Sequence, residues 1–340
     1  MNSFISILIV NYNGKKWLEN CFDSLLSQTY KNFEIIFVDN ASLDESVEFI
    51  KNTYNDDRIK IVQSDTNLGF AGGNNLGFKQ AKGEYILLLN NDTRAPIDYL
   101  EKFKDAFLEI PNAGSVQSKI ILMSDASKLD VCGSYWTDSS FLYHYGFWQN
   151  QELDKYNKAM PFFSNKGASM MIRRKVIEEI GFFDDDFWSY YEETDLCNRM
   201  WLAGYECWYY PGAVLSHAVG GTALTLFHNS EIQFHNFKNK LLSFLKNFEV
   251  GTLIEVLPVY FILTIALSFF WLLQGKGKHF LAIYRSIWWN ITHFPQTLKK
   301  RKIVQSFRKK TDAEIFKQVK QNPKLKYYYY FLTGLEKYEG

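Results

Sequence analysis

The chain has 340 residues, 47% of them hydrophobic, enough to bury one or two substantial cores and too apolar for a disordered polypeptide. A net charge of +1 and an isoelectric point near 7.6 exclude a surface that attracts nucleic acid everywhere. The average conceals an asymmetry: no Asp or Glu stands between Glu255 and Asp312, where Lys276, Lys278, Arg285, Lys299, Lys300, Arg301, Lys302, Arg308, Lys309 and Lys310 all fall.

In chain order, short apolar runs alternate with amphipathic stretches, the pattern of an α/β fold with a mainly parallel, Rossmann-like sheet flanked by helices. Ile5 to Val10 reads as the first strand, and Trp17, Leu18, Cys21, Phe22, Leu25 and Leu26 as one face of a helix. Phe33 to Val38 is the second strand, after which Ser42-x-x-Glu45 has the spacing of a capping box for the helix carrying Val47, Phe49 and Ile50. Ile59 to Val62 makes a third. Glycines crowd residues 69–77 before the apolar strand Tyr85 to Leu89, which runs into Asn90-Asn91-Asp92. A helix over 97–108 and a strand over 115–122 follow. Residues 124–165 lack a clean period and read as an acceptor-side insertion. Beyond lie Gly167 to Ile172, a helix over 174–180, an acidic cluster over 184–195, a helix to about Ala203 and another over 230–248.

In an open α/β sheet, ligands bind beyond the carboxyl ends of the strands. Asn11-Tyr12-Asn13, Asp39-Asn40 and Asn90-Asn91-Asp92 occupy those ends. Asp39 can accept from a ring N–H of uracil or thymine while Tyr12 offers a flat face to the base; the competing role for Asp39 is a turn cap. The glycines of 69–77 can bring backbone N–H groups to phosphates, or serve a tight turn and close helix packing. Asp92 suits Mg²⁺ or Mn²⁺, which take oxygen ligands, and equally a helix N-cap. His217, just before Gly220-Gly221, is a candidate further metal ligand or a structural imidazole. In Glu192-Glu193-Thr194-Asp195, helical spacing puts Asp195 on one face with Arg199 and Glu192, leaving Glu193 free to face a substrate as a general base; the competing role for the cluster is a charged, solvated helix start. The four scattered cysteines show neither zinc nor disulfide spacing, so reduced thiols are expected, and the N-terminus lacks the features of an export signal.

These segments together resemble glycosyltransferase family 2, inverting enzymes with a GT-A fold, and within it the rhamnosyltransferase-like bacterial branch. The likeness rests on Ile7-Leu8-Ile9-Val10-Asn11-Tyr12-Asn13, Val38-Asp39-Asn40-Ala41-Ser42, the run from Asn67 to Gly77, Leu89-Asn90-Asn91-Asp92, Glu192 to Arg199 with Gly204-Tyr205, and Ser216-His217, spread in order over about 1–245. It implies a dTDP- or UDP-sugar donor held near Asn11, Tyr12, Asn13, Asp39, Asn67, Asn74, Asn75, Asn90 and Asn91. It further implies a divalent metal, Mg²⁺ or Mn²⁺, at Asp92 with His217, and a glycan or lipid-linked oligosaccharide acceptor deprotonated by Glu193, with Asp195 as the rival. Three positions depart from the family pattern: Asn90 replaces the first Asp of Asp-x-Asp, Glu193 replaces Asp, and Asn74 stands where many relatives carry Arg. The departures at Asn90 and Glu193 motivate the alternative of a non-catalytic glycan-binding or scaffold protein on the same fold.

Residues 246–340 read as a helical, membrane-associating extension. Leu253 to Leu273 has the length of a bilayer span, but Glu255, Pro258 and the basic residues beyond it favour an interfacial or re-entrant arrangement. The face of Phe280, Tyr284, Ile287, Trp288, Ile291 and Phe294, followed by Lys299 to Lys302, suits an anionic membrane surface along 253–310 on the cytoplasmic side. Nucleic acid is not expected there, because the aromatics do not interleave with the charges.

Overall fold

The computed structural model describes residues 3–219 and 229–333, so Gly220-Gly221 lies outside the described residues. The first half runs β1 (Ile5–Asn11), α1 (Lys15–Leu26), β2 (Phe33–Asp39), α2 (Ser46–Thr53), β3 (Ile59–Gln63), α3 (Gly69–Phe78) and β4 (Tyr85–Leu89). Then come β5 (Thr93–Arg94), α4 (Tyr99–Glu109), β6 (Ala113–Leu122), β7 (Gly133–Tyr135), β8 (Tyr143–Tyr145) and β9 (Met160–Pro161). β10 (Ser169–Arg173), α5 (Arg174–Ile180), α6 (Glu192–Leu202) and β11 (Glu206–His217) complete the α/β part. The C-terminal helices are α7 (Ser230–Asn247), α8 (Val250–Leu273), α9 (Gly277–Thr292), α10 (Phe294–Ser306), α11 (Asp312–Val319) and α12 (Leu325–Thr333).

The main sheet has the order β3-β2-β1-β4-β10-β6-β11-β5, with β9 added to β11. β1, β2, β3 and β4 are parallel, as are β6 and β11, whereas β10 runs antiparallel between β4 and β6. Because side chains alternate along a strand, each strand feeds two cores. Leu8, Ile36, Val38, Ile86 and Leu88 face the layer of α5, α6 and α7. Ile7, Ile9, Ile35, Phe37 and Leu87 face α1 and α4. Burial on both faces is why these strands read as continuous apolar runs. All four cysteines are buried and free.

One local expectation is corrected. Ser42 does not cap α2: Glu45 precedes that helix with φ of 60° and no side-chain cap, while the Ser42 hydroxyl accepts from the Asn11 amide and the Asn13 N–H. The glycine run is helix α3 itself, in keeping with the close-packing reading rather than with a phosphate-binding turn. A Cβ at Gly73 would stand 2.7 Å from Val10 Cγ1, so glycine there lets the helix lie directly on the sheet.

The extension is bolted to the α/β part. α7 packs on α6, and α8 and α9 form a hairpin turning at Gly275. On α11, Phe316 stacks on Trp136 of the 124–165 segment with ring centroids 5.4 Å apart.

Candidate active site

The parallel topology delivers Asn11, Asp39 and Asn90-Asn91-Asp92 to one edge. There the Asn11 amide donates to Ser42 Oγ (3.1 Å) and lies 3.5 Å from Asp39 Oδ1, while its oxygen accepts from Asn91 Nδ2 at 2.6 Å. Asn11 and Asn91 thus tie the first, second and fourth strand ends together. Asp39 is 3% exposed and also accepts from the Ser42 N–H, whereas Tyr12 is 51% exposed and free to present its ring.

Other asparagines fall elsewhere. Asn13, with φ of 52°, accepts from the Leu43 N–H; Asn67 caps the turn into α3 by accepting from Gly69 N–H and Asn40 Nδ2. Asn74 is buried and donates to the Phe70 carbonyl within its own helix. Asn75 both donates to and accepts from Phe183, and donates to Asp185. In the structure the Asn67 oxygen, the Asn74 amide nitrogen and both ends of the Asn75 amide are thus engaged by protein groups. The first N–H groups of α3 are likewise engaged, Gly69 by Asn67, Phe70 by Ser189 Oγ and Ala71 by the Trp188 carbonyl, so they do not form a phosphate cradle.

The turn Asn90-Asn91-Asp92 is built by three strands. β5 pairs with the end of β11, setting His217 opposite Thr93, and the Asn90 N–H is held by the Ala168 carbonyl just before β10. His217 Nε2 lies 3.1 Å from Asp92 Oδ1 and 3.3 Å from the Asn90 amide nitrogen, while Nδ1 lies 2.7 Å from Asp130 Oδ2. Burial opposes charge on this imidazole, but Asp130 and Asp92 outweigh it and raise its pKa. Two carboxylates thus flank one imidazole, a negative environment that a bound divalent cation would share. A carboxylate oxygen and an imidazole nitrogen about 3 Å apart fit adjacent ligands of Mn²⁺ or Mg²⁺. Among the described residues no set of three His, Cys, Asp or Glu side chains stands ready to hold a metal alone, so a diphosphate and water would complete the shell.

Across the edge, the loop into α6 is held under strain. Trp188, Tyr190 and Tyr191 have φ of 59°, 72° and 70°, a conformation non-glycine residues seldom adopt. Asn239 of α7 stabilises it, its amide donating to the carbonyls of Phe187, Ser189 and Tyr190 at 2.8, 2.9 and 2.6 Å. The loop leads into Glu193 at the start of α6, which retains partial solvent access and lies beside Gly167, the neighbour of the Ala168 whose carbonyl holds the Asn90 N–H. Glu193 Oε2 and the buried Glu192 Oε2 have no hydrogen-bond partner among the described residues. Burial pushes the Glu193 carboxyl upward, an effect its own backbone N–H and Lys166 offset only in part; burial and the Glu193 charge raise Glu192 well above the usual range.

Asp195, the rival base, is taken. Its Oδ2 accepts from Arg199 Nε at 2.9 Å and Lys246 Nζ at 3.0 Å, and its Oδ1 from Asn247 at 2.8 Å. All of these groups are buried, so Asp195 anchors α7 to α6 and does not face a substrate. Sequence reasoning missed Asp130, Lys166 and Asn239. Asp130 lies in the aperiodic 124–165 stretch and Asn239 inside an amphipathic helix, where no local spacing marks them.

The basic tail is also partly engaged. Lys300 pairs with Asp184 and Asp186, Arg301 donates to the carbonyls of Leu245 and Phe248, and Arg308 pairs with Asp312. Lys299 and Lys302 remain exposed. α8 buries only the stripe Val256, Tyr260, Thr264, Ser268 and Trp271 and leaves Ile254, Ile262, Phe269 and Leu273 exposed, beside Leu281, Trp288 and Ile291 of α9. α8 is long and apolar enough to cross a membrane by length and composition.

The model of the glycosyl transferase family 2 matches residues 6–181. An uncharacterized glycosyltransferase of Haemophilus influenzae is 39% identical over 99 residues, covering 29% of this chain and 40% of the relative. The Escherichia coli UDP-Glc:alpha-D-GlcNAc-diphosphoundecaprenol beta-1,3-glucosyltransferase WfaP is 42% identical over 88 residues, covering 26% of this chain and 35% of the relative. The matched stretch is thus well under half the length of either relative. Among solved structures, the mannosyltransferase PcManGT of Pyrobaculum calidifontis in complex with GDP-Man and Mn²⁺ superposes with a TM-score of 0.53 at 15% identity, over 90% of this chain and 84% of that one. That likeness extends to a shared GT-A fold.

Proposed function

Because the chain belongs to glycosyl transferase family 2, we propose that it is a metal-assisted, inverting glycosyltransferase that moves rhamnose or another hexose from a dTDP- or UDP-sugar to a hydroxyl of a glycan or lipid-linked oligosaccharide. The observation that carries this reading is the buried Asp92–His217 pair at the sheet edge where Asn11 and Asp39 also end. Asp39 and Tyr12 hold the pyrimidine, and Asn11 and Asn91 keep the strand ends that form its floor in register. Glu193 takes the proton from the acceptor hydroxyl as that oxygen attacks the anomeric carbon in line with the departing diphosphate. Asp92 and His217 would hold the divalent metal, which supplies positive charge to the leaving diphosphate. WfaP's name gives it a UDP-sugar donor and a diphosphoundecaprenol-linked acceptor, and the PcManGT complex contains Mn²⁺ with a nucleotide sugar; both support the reading.

A thermal-shift screen of nucleotide sugars with and without Mn²⁺ tests it. A ligand at 100 times its Kd stabilises the native state by about 2.7 kcal/mol. The true donor should raise Tm in a metal-dependent way and then be hydrolysed or transferred. No shift, hydrolysis or transfer with any pyrimidine donor would favour the scaffold alternative.

The same reading seats the protein on the cytoplasmic face of a membrane through the exposed apolar side of the α8–α9 hairpin, with Lys299 and Lys302 toward anionic headgroups. Deleting 253–310 is a poor test, since Lys300 and Arg301 hold α10 against the 184–186 turn and α7. The expected result uses point changes: Ile262→Lys with Trp288→Glu, at sites 67% and 66% exposed, releases the protein from phosphatidylglycerol vesicles without lowering Tm. Burying one large apolar side chain is worth about 1.5–3 kcal/mol, so each change should weaken binding about tenfold or more. Undiminished co-sedimentation of the double variant would refute the seat.

A further inference from the structure

We infer that Asp130 is the positioning residue of the metal centre: it fixes the His217 imidazole in the tautomer whose Nε2 lone pair faces Asp92. The inference rests on the metal reading of Asp92 and His217 proposed above and assigns a role to the 124–165 segment, which sequence alone places only on the acceptor side.

Asp130 is fully buried, and its backbone N–H donates to the Ile120 carbonyl, which fastens it along the end of β6. A carboxylate in that position costs several kcal/mol unless cations or donors surround it. Lys166 Nζ donates to both of its oxygens at 2.7 Å, and His217 Nδ1 lies 2.7 Å from Oδ2. Lys166 by itself keeps 30% side-chain exposure, so water can satisfy it without Asp130. The partner that has no other way to meet its needs is the imidazole.

His217 stands between two carboxylates, Asp130 at Nδ1 and Asp92 at Nε2. A neutral imidazole has one N–H to give. The shorter contact, 2.7 Å against 3.1 Å, and the fuller burial of Asp130 assign that hydrogen to Nδ1. Nε2 then keeps its lone pair beside the Asp92 oxygen. A carboxylate behind a ligating histidine both orients the ring and raises its basicity, and losing such a partner typically costs 10–100-fold in metal affinity. Lys166 completes the arrangement by engaging both Asp130 oxygens, which stops the carboxylate from rotating away.

The test is a Mn²⁺ titration followed by electron paramagnetic resonance, in the presence of UDP or dTDP, on wild type, Asp130→Asn and Asp130→Ala, with Tm measured for each. Wild type should bind Mn²⁺ and show the ¹⁴N modulation of a coordinated imidazole in spin-echo spectra. Asp130→Ala should bind about 10–100-fold more weakly and lose or weaken that modulation. Asp130→Asn, which keeps shape and an acceptor but not the charge, should fall between the two and serves if the alanine variant does not fold. Asp130 variants that fold and retain wild-type affinity and ¹⁴N modulation overturn the inference while leaving the metal site intact. A wild type that binds no Mn²⁺ under any condition overturns the metal reading itself, and this inference with it.

Discussion

Glu193→Gln is expected to lower kcat by about two to four orders of magnitude, the usual contribution of a positioned general base, while leaving Tm and donor binding near wild type. Gln preserves size but cannot accept the acceptor's proton. Its site is prepared for the exchange: Glu193 Oε2 already lacks a hydrogen-bond partner among the described residues, so no network is broken. The pH profile provides a second check. Burial raises the Glu193 pKa, and the base acts only when ionised, so kcat/KM should climb with pH through a limb lying above the ordinary glutamate value of about 4.3. Glu193→Gln should abolish that limb. Glu192→Gln is the matched control: burial and the Glu193 charge keep Glu192 protonated while Glu193 ionises, so the substitution should leave the limb in place. Full activity in Glu193→Gln would refute the assignment.

Asp195→Asn should act on stability rather than on the chemical step. It neutralises the carboxylate that Arg199 and Lys246 share in a buried site, and removing one partner of such a network costs about 3–5 kcal/mol. That is a large part of the roughly 5–15 kcal/mol by which domains are stable. Lys246 retains Asp184, which should keep the loss toward the lower end. The pH dependence has a definite sign. Burial raises the Asp195 carboxyl, but Lys246 and Arg199 outweigh it and hold its folded pKa below the unfolded value of about 3.9. Its stabilisation is therefore complete above that pH and lost as acid titrates the folded group. Urea unfolding at pH 7 and pH 3 would check both size and sign. An Asp195→Asn protein of wild-type stability would show that the buried network contributes nothing net.

The paired outcomes separate two carboxylates that local sequence treats alike. Spacing on α6 groups Asp195 with Arg199 and leaves Glu193 apart, which is how the structure places them. Spacing does not reveal that Lys246 and Asn247, about 50 residues away, occupy the rest of Asp195. Asn74 and Asn75 are positions that the family resemblance implies for the donor, and local spacing does not reveal that helix α3 turns both amides toward protein carbonyls.

What the sequence alone determines here is the order of the sheet-edge residues. Apolar runs buried on both faces must become central strands, and a parallel arrangement sends Asn11, Asp39 and Asp92 to one edge whatever the loops do. Only the tertiary structure decides which charged groups meet. Asp130 finds His217 across 87 residues, and Asn239 reaches the strained loop from a helix of the C-terminal half. The reason is physical: local periodicity records which face of an element is apolar, whereas a buried charge or amide is satisfied by whatever partner the packing of distant elements brings within 3 Å.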